Sequence, residues 1–291
     1  MGHSFFVVVL SMSDTQIDLD AYFARIGYEG DREPTLENLI AIQFAHATSI
    51  PFENLSILFG KGVQLDLGTL QHKIVGQCRG GYCFEQNGLA LAVLRQLGFN
   101  ATGLIGRVRW MTPDDVAAPL THMLIRVDFE DGAYIYDGGF GGIRMTGVLR
   151  LETDISQATR HEDHRIVQDG ENYTIQANLG QAGDQERWEN VVEFTLTPQS
   201  PVDYILSSWY TSTHPESLFT NNLIVERPTA DARRMIFNNT FVERNRGEEQ
   251  TVREITNIDE MVALLDQHFD LPVETEDQRK ALESFLSPTG S

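Results

Sequence analysis

Apolar residues recur at helical spacing through the first hundred positions of this chain and alternate through the second hundred. Tyr22, Phe23 and Ile26 form a short apolar stripe behind Asp18 and Asp20, either of which can cap a helix that Gly27 stops. Thr35 is the cap of a second helix, with Leu36, Leu39, Ile40 and Phe44 at helical spacing before Pro51 ends the pattern. From Cys83 onward, Leu89, Val93 and Leu97 recur every fourth residue with Ala90 and Leu94 beside them, and Gly98 stands where that helix stops. The opening region is therefore expected to be helical.

Alternation begins at Ala101, with Leu104, Val108 and Trp110 on a strand and Met111 to Asp115 as the following loop. His122 to Phe129 and Ala133 to Asp137 read as two strands joined at Asp131-Gly132, a strong hairpin signal. Further strands fit Arg165 to Gln168, Tyr173 to Ala177 and Val191 to Leu196. Ser200-Pro201 then reads as a cap and first helical residue for a helix through Tyr204, Ile205 and Trp209. Strand-like Leu223 to Val225, Met235 to Phe237 and Phe241 to Arg244 precede helical patterns around Met261 to Phe269 and Gln278 to Leu286. No long Gly/Ser or Pro-rich linker separates these stretches, so boundaries near residues 100 and 200 rest on the change of pattern.

Composition narrows the class of protein. Across 291 residues, 41% hydrophobic and 22% charged content is that of an ordinary globular chain. The net charge of −20 disfavours nucleic acid or an anionic membrane as a partner, because the long-range field repels both. The apolar run Phe5 to Leu10 is too short to span a bilayer and lacks a basic leader, so no targeting segment is expected and Met12 reads as the natural start. Cys78 and Cys83 are the chain's two cysteines; lying so close together they argue against a disulfide framework and for a reducing, cytoplasmic setting. They also make a poor zinc site, and His72 reads as a solvated loop histidine, so no metal is expected.

One stretch carries chemistry. In Arg79-Gly80-Gly81-Tyr82-Cys83-Phe84-Glu85-Gln86-Asn87, a glycine pair delivers Cys83 to the first turn of a helix, where unpaired N–H groups and the positive end of the dipole favour a thiolate. The two glycines are expected to adopt backbone angles closed to other residues, bringing a substrate carbonyl near main-chain donors. His122 and Asp137 complete the parts of a thiol triad, a base and its orienter on neighbouring strands. Parity puts them on one face of the hairpin, yet a symmetric turn at Asp131-Gly132 pairs Asp137 with Arg126, about 13 Å along the strand from His122. Contact requires either an asymmetric turn or a bulge with strand twist.

The wording around these residues resembles the arylamine N-acetyltransferases: RGGYCFEQN at 79–87, PFENL at 51–55, THM at 121–123 and YDGGFGG at 136–142. That resemblance implies an α+β fold with a papain-like Cys-His-Asp core. Its parts would be an N-terminal helical bundle at 12–100 carrying the nucleophile, a central β-barrel at 101–200 carrying the histidine and aspartate, and a C-terminal α/β lid at 201–291. It implies acetyl transfer from acetyl-CoA to aromatic amines, hydrazines or hydroxylamines by a ping-pong mechanism, with Cys83 as nucleophile, His122 as base and Asp137 as orienter. Phe52 and Phe140 match positions lining the acceptor pocket, and Val108, Gly139 and Gly141 the region meeting coenzyme A. A polyanionic donor needs local cations on so acidic a chain; Lys73, Arg107, Arg109 and Arg144 are nearest the motifs. The rival readings are an amide synthase, a transglutaminase-like or papain-like thiol hydrolase, and a non-catalytic binding protein on the same fold.

Overall fold

Asp18 accepts the Ala21 N–H and opens α1 (Leu19–Ile26), which Gly27 closes in the left-handed region at φ 64°. In this computed structural model residues 16–113, 115–180, 186–245 and 250–286 are described; Phe5 to Leu10, Met12 and Asp114 lie outside them. Thr35 caps α2 (Leu36–Ser49), and a short strand β1 (Phe52–Glu53) leads into α3 (Leu55–Leu58) and α4 (Leu67–Leu70). A π-helical turn, Gln71–Gly76, and an extended glycine segment then deliver α5 (Cys83–Gln96), which begins at Cys83 as the pattern predicts. Helices α1, α2 and α5 bury Tyr22, Ile42, Leu89 and Val93 against one another.

Strands β2 (Asn100–Val108), β3 (Leu120–Phe129), β4 (Gly132–Tyr136), β5 (Leu149–Arg150), β6 (Gln157–Ala158), β7 (Asp163–Asp169), β8 (Asn172–Asn178) and β9 (Trp188–Phe194) follow. They pair in the order β5-β4-β3-β2-β9-β8-β7-β6. A bridge between Thr153, just past β5, and Ile166 of β7 draws the two edges together, so the sheet is a nearly closed barrel. Leu104, Leu124, Ile135, Ile166, Ile175 and Val192 fill it, the inward set of the alternating pattern.

Ser200 and Asp203 exchange hydrogen bonds at the start of α6 (Pro201–Thr213), and α7 (Leu218–Asn221) leads to β10 (Ile224–Pro228), β11 (Ala232–Phe237), β12 (Thr240–Asn245) and β13 (Thr251–Glu254). Helices α8 (Ile258–Phe269) and α9 (Glu276–Glu283) complete the chain. The sheet order β1-β10-β11-β12-β13 adds a strand from the chain's first quarter to the edge of the C-terminal sheet. This junction is sealed by Asn54, whose amide donates to the Phe219 and Asn222 carbonyls at 2.8 and 2.7 Å while its oxygen accepts the Ile224 N–H at 2.9 Å.

The hairpin differs from expectation in its register. Phe129 pairs with Gly132 and Asp128 with Ala133, so Glu130-Asp131 make the turn and Gly132, at φ 147°, opens β4. This brings Asp137 two positions, about 7 Å, closer to His122 than the symmetric Asp131-Gly132 turn allows. A bulge supplies the remainder. Gly106 pairs with His122 but Arg107 pairs with Leu120, leaving Thr121 as the extra residue that re-aims the histidine. The turn is thus symmetric but displaced by one residue, not asymmetric as one alternative required, whereas the anticipated bulge is present, on the β2 side of β3.

Removing the Asn54 side chain leaves one buried N–H and two carbonyls without partners. Asn54→Ala should lower the unfolding free energy by about 3 kcal/mol or more at unchanged denaturant slope. A loss within the range of an ordinary surface substitution would show that the junction does not depend on this residue.

Candidate active site

Cys83, His122 and Asp137 come from three different elements and meet in the interior, each no more than 3% exposed. The His122 Nε2–H donates to Asp137 Oδ2 at 2.6 Å. The Cys83 thiol donates to the Thr121 carbonyl at 3.6 Å, next to His122 in the chain, and lies near enough to the imidazole to help raise its pKa. Burial alone would strip the proton from His122, but the charge and hydrogen bond of Asp137, helped by Cys83, outweigh it and raise the imidazole from 6.5 to about 10. The ring is accordingly an imidazolium at neutral pH. Its contribution to folding is complete below the ordinary pKa of 6.5 and is lost as the pH rises through about 10.

Asp137 is held on its other oxygen. Asn87 Nδ2 and the Gly139 N–H donate to Oδ1 at 2.9 and 3.0 Å, Asn87 Nδ2 also reaches the Met123 carbonyl at 2.6 Å, and Asn87 Oδ1 accepts the Gly138 N–H at 3.1 Å. Asn87 lies on α5 one turn beyond Cys83, so one helix orients both the thiol and the carboxylate. The signal was in the sequence, four residues past the cysteine, and went unread because neutral amides do not titrate.

The glycine segment before Cys83 serves a different purpose from the one expected. Neither Gly80 nor Gly81 has a positive φ; a side chain at Gly80 would meet the Pro51 carbonyl at 2.2 Å, and one at Gly81 would meet the Glu85 Cβ at 2.9 Å. Gly80 is required by close packing against Pro51 and Glu53, and Gly81 by the Glu85 side chain. Gln86 ties these strands of chain together, donating to the Pro51 and Gly81 carbonyls at 3.1 and 2.6 Å. Glu85 reaches back to the Tyr82 N–H at 3.0 Å, so that main-chain donor is already satisfied. The Glu85 and Gln86 N–H groups donate to the Tyr82 carbonyl at 3.1 and 3.0 Å, which leaves those of Cys83 and Phe84 as the first-turn donors with no intrahelical acceptor.

The aromatic positions divide into two groups. Phe140 stands edge-on to His122, with ring centroids 5.1 Å apart, and belongs with half-buried Val108 to the barrel interior. Phe52 packs 6.0 Å from Phe219, which lies 5.6 Å from Tyr82 beside the cysteine. Phe219, in a region where the family resemblance is looser, thus joins Phe52 and Tyr82 in one aromatic cluster. Gly141 faces the Phe52 ring, and Gly139 faces the Cys83 Cα.

Two of the cations nearest the motifs are committed inside the protein. Lys73 lies 2.8 Å from Glu85 and 3.4 Å from Glu53, and Arg144 is fully buried against Glu226. Arg107 donates to the Ala118 carbonyl, and Arg109 to that of Val116. His72 is exposed, both cysteines are free thiols, and among the described residues no His, Cys, Asp and Glu group is arranged to hold a metal ion.

The N-acetyltransferase family matches residues 35–278 of the chain, which makes the protein an acyltransferase. It is 43% identical to the arylamine N-acetyltransferase of Mycolicibacterium smegmatis over 75% of its own length and 78% of that protein's, and 34% identical to the Escherichia coli enzyme over 88% and 89%. Among solved structures, an M. smegmatis arylamine N-acetyltransferase superposes with a TM-score of 0.87 at 36% identity, covering 94% of this chain and all of that one. The Mycobacterium marinum arylamine N-acetyltransferase in complex with CoA gives 0.85 at 35% identity, covering 92% of this chain and 98% of that one. The chain belongs to the arylamine N-acetyltransferase family.

A methyl group at Gly139 would fall 2.9 Å from Asn87 Nδ2 and 3.0 Å from the Cys83 Cα. Gly139→Ala should therefore lower acetyl transfer by about a hundredfold by displacing the thiol or its supporting amide. Steady-state assay of the purified, folded variant checks this; turnover near that of the parent would mean the contact has no bearing on the reaction.

Proposed function

We propose that this acetyltransferase works by ping-pong transfer through an acetyl-cysteine on Cys83, with His122 as proton carrier and Asp137 as its orienter. The observation that carries this reading is the 2.6 Å bond between His122 and Asp137, with Cys83 buried in the same interior and its thiol hydrogen-bonded to the carbonyl of Thr121, the residue before His122. A cysteine beside a carboxylate-bound imidazolium gains a counter-ion for its thiolate, the form that acts as nucleophile. The Cys83 sulfur attacks the acetyl carbonyl of acetyl-CoA, and first-turn N–H groups of α5 stabilise the oxyanion. As the carbonyl re-forms, the bond to the CoA sulfur breaks and His122 returns a proton to that leaving group. An arylamine, hydrazine or hydroxylamine then attacks the thioester, gives its proton to His122 and leaves acetylated, regenerating the Cys83 thiolate.

Support for acetyl-CoA as donor comes from the M. marinum relative that binds CoA. The donor's arm is assigned to the region of Val108, Gly139 and Gly141, and the flat acceptor to the space between Phe140 and Phe52, where apolar rings favour an aromatic guest. Residues 12–100 bring the nucleophile, 101–200 the base and orienter, and 201–291 the lid that carries Phe219. Two free thiols and a papain-like Cys-His-Asp arrangement suit a reducing compartment such as the cytoplasm.

Incubation with acetyl-CoA and no amine tests the intermediate. Peptide mass spectrometry should find one acetyl group on Cys83 and none on exposed Cys78, and an added arylamine should discharge it as the amide. Acetyl on Cys78, or amine acetylation while Cys83 stays unmodified, would overturn the mechanism; peptide cleavage without use of the donor would favour a thiol hydrolase.

A further inference from the structure

Arg144 follows the glycine run of the candidate site and ends up with none of its side chain exposed. A buried guanidinium needs a counter-charge and acceptors for a rigid fan of N–H groups. Glu226 of β10 supplies the carboxylate, 3.3 Å from Nε. The Ala47 and Ile50 carbonyls, where α2 ends, accept from Nη1 at 3.0 and 2.8 Å, and the Phe140 carbonyl accepts from Nε at 3.3 Å. One planar group thus gathers the helical layer, the glycine loop and the C-terminal sheet.

Glu226 is shared in turn. Its other oxygen lies 3.3 Å from Arg233 Nη1, and Arg233 forks onto Glu162 through Nε at 2.9 and 3.1 Å and Nη2 at 2.5 Å. Arg233 Nη2 also donates to the main-chain carbonyl of Arg144 at 2.6 Å, and Arg244 closes on Glu162 from the adjacent strand. Arg144, Glu226, Arg233 and Glu162 form a buried row running from beside the glycine loop, through β10 and β11, to the chain just before β7. Such rows add little net stability, since apolar replacements of similar volume often fold as well or better. Fixed orientation is what the row does provide, and it is provided next to the site. Phe140, whose carbonyl Arg144 holds, packs edge-on to His122; burial lowers the Arg144 pKa, and the charges of Glu226 and then Asp137 oppose that loss.

We propose that Arg144 is a positioning residue for the acetyl-transfer site: anchored on the C-terminal sheet through Glu226 and Arg233, it fixes the Phe140 carbonyl and hence the ring that packs on His122 and faces the aromatic acceptor. This rests on the reading of Cys83, His122 and Phe140 given above. Arginine is required because three carbonyls and a carboxylate lie around one rigid fork; a lysine's single ammonium cannot reach them together.

The test compares the parent with Arg144→Lys and with the paired change Arg144→Met and Glu226→Leu, which removes one cation and one anion and strands no lone charge. Circular dichroism establishes folding, and the two half-reactions are measured separately: acetylation of Cys83 by acetyl-CoA, and discharge of the acetyl-enzyme by an aromatic amine. In the paired variant the KM for the amine should rise about tenfold while the acetylation rate falls by less than about threefold, with Arg144→Lys in between. Should the paired variant not fold, Arg144→Lys decides alone. A parental amine KM in the folded variants, or an equal decline of both half-reactions, overturns the inference. Failure of the parent itself to take acetyl on Cys83 instead removes the mechanism beneath it.

Discussion

An imidazolium in a protein interior needs an anion or acceptors bonded to it in place of water, and at this site the carboxylate of Asp137 supplies most of that support. His122 and Asp137 are both buried, so neither ion is solvated by bulk water and each relies on the other. Much of the local architecture serves this pair. The shifted hairpin turn and the bulge at Thr121 bring the two side chains together. Asn87 and the Gly139 N–H occupy the carboxylate's second oxygen, which leaves the first for the histidine. Because Asn87 is carried by the same helix as Cys83, the thiol is registered to the pair by a rigid element rather than by a loop.

The same economy governs the other buried charges. Lys73 lies between Glu53 and Glu85, directly behind the segment that precedes Cys83, and Glu85 uses its remaining oxygen to cap the Tyr82 N–H. Arg144 is placed likewise beside the glycine loop. Cations near the site thus brace its backbone. On a chain of net charge −20, Lys73 and Arg144 are therefore not available to a polyanionic donor.

The long elements were legible because their periodicity is strong. Asp18, Gly27, Thr35, Ser200 and Pro201 mark helix ends where they were expected, and α5 opens at Cys83. Elements of two to four residues, such as β1, α3 and β5, carry no period and went unseen; with β1 went the link between the PFENL motif and the C-terminal sheet. The triad was legible as residue types and parity, but its closure was not, because a turn shifted by one residue at each strand leaves parity unchanged while moving the pairing by two. Gly80 and Gly81 were read through backbone freedom when the operative fact was crowding by Pro51 and Glu85, which only tertiary structure reveals. Arg144, offered by the sequence as a cation for the polyanionic donor, is instead paired with Glu226, eighty-two residues away, which only the tertiary structure reveals.

The central claim is that Asp137 holds a proton on buried His122 at neutral pH. Nitrogen-15 NMR of the His122 ring, followed through the neutral and alkaline range in the parent and in folded Asp137→Asn, measures it directly. The ring in the parent should remain an imidazolium until the pH approaches about 10, and in Asp137→Asn, where burial is no longer opposed by the carboxylate, it should lose its proton at far lower pH. A parent ring that titrates at or below the ordinary 6.5, or a variant that titrates like the parent, would contradict the account.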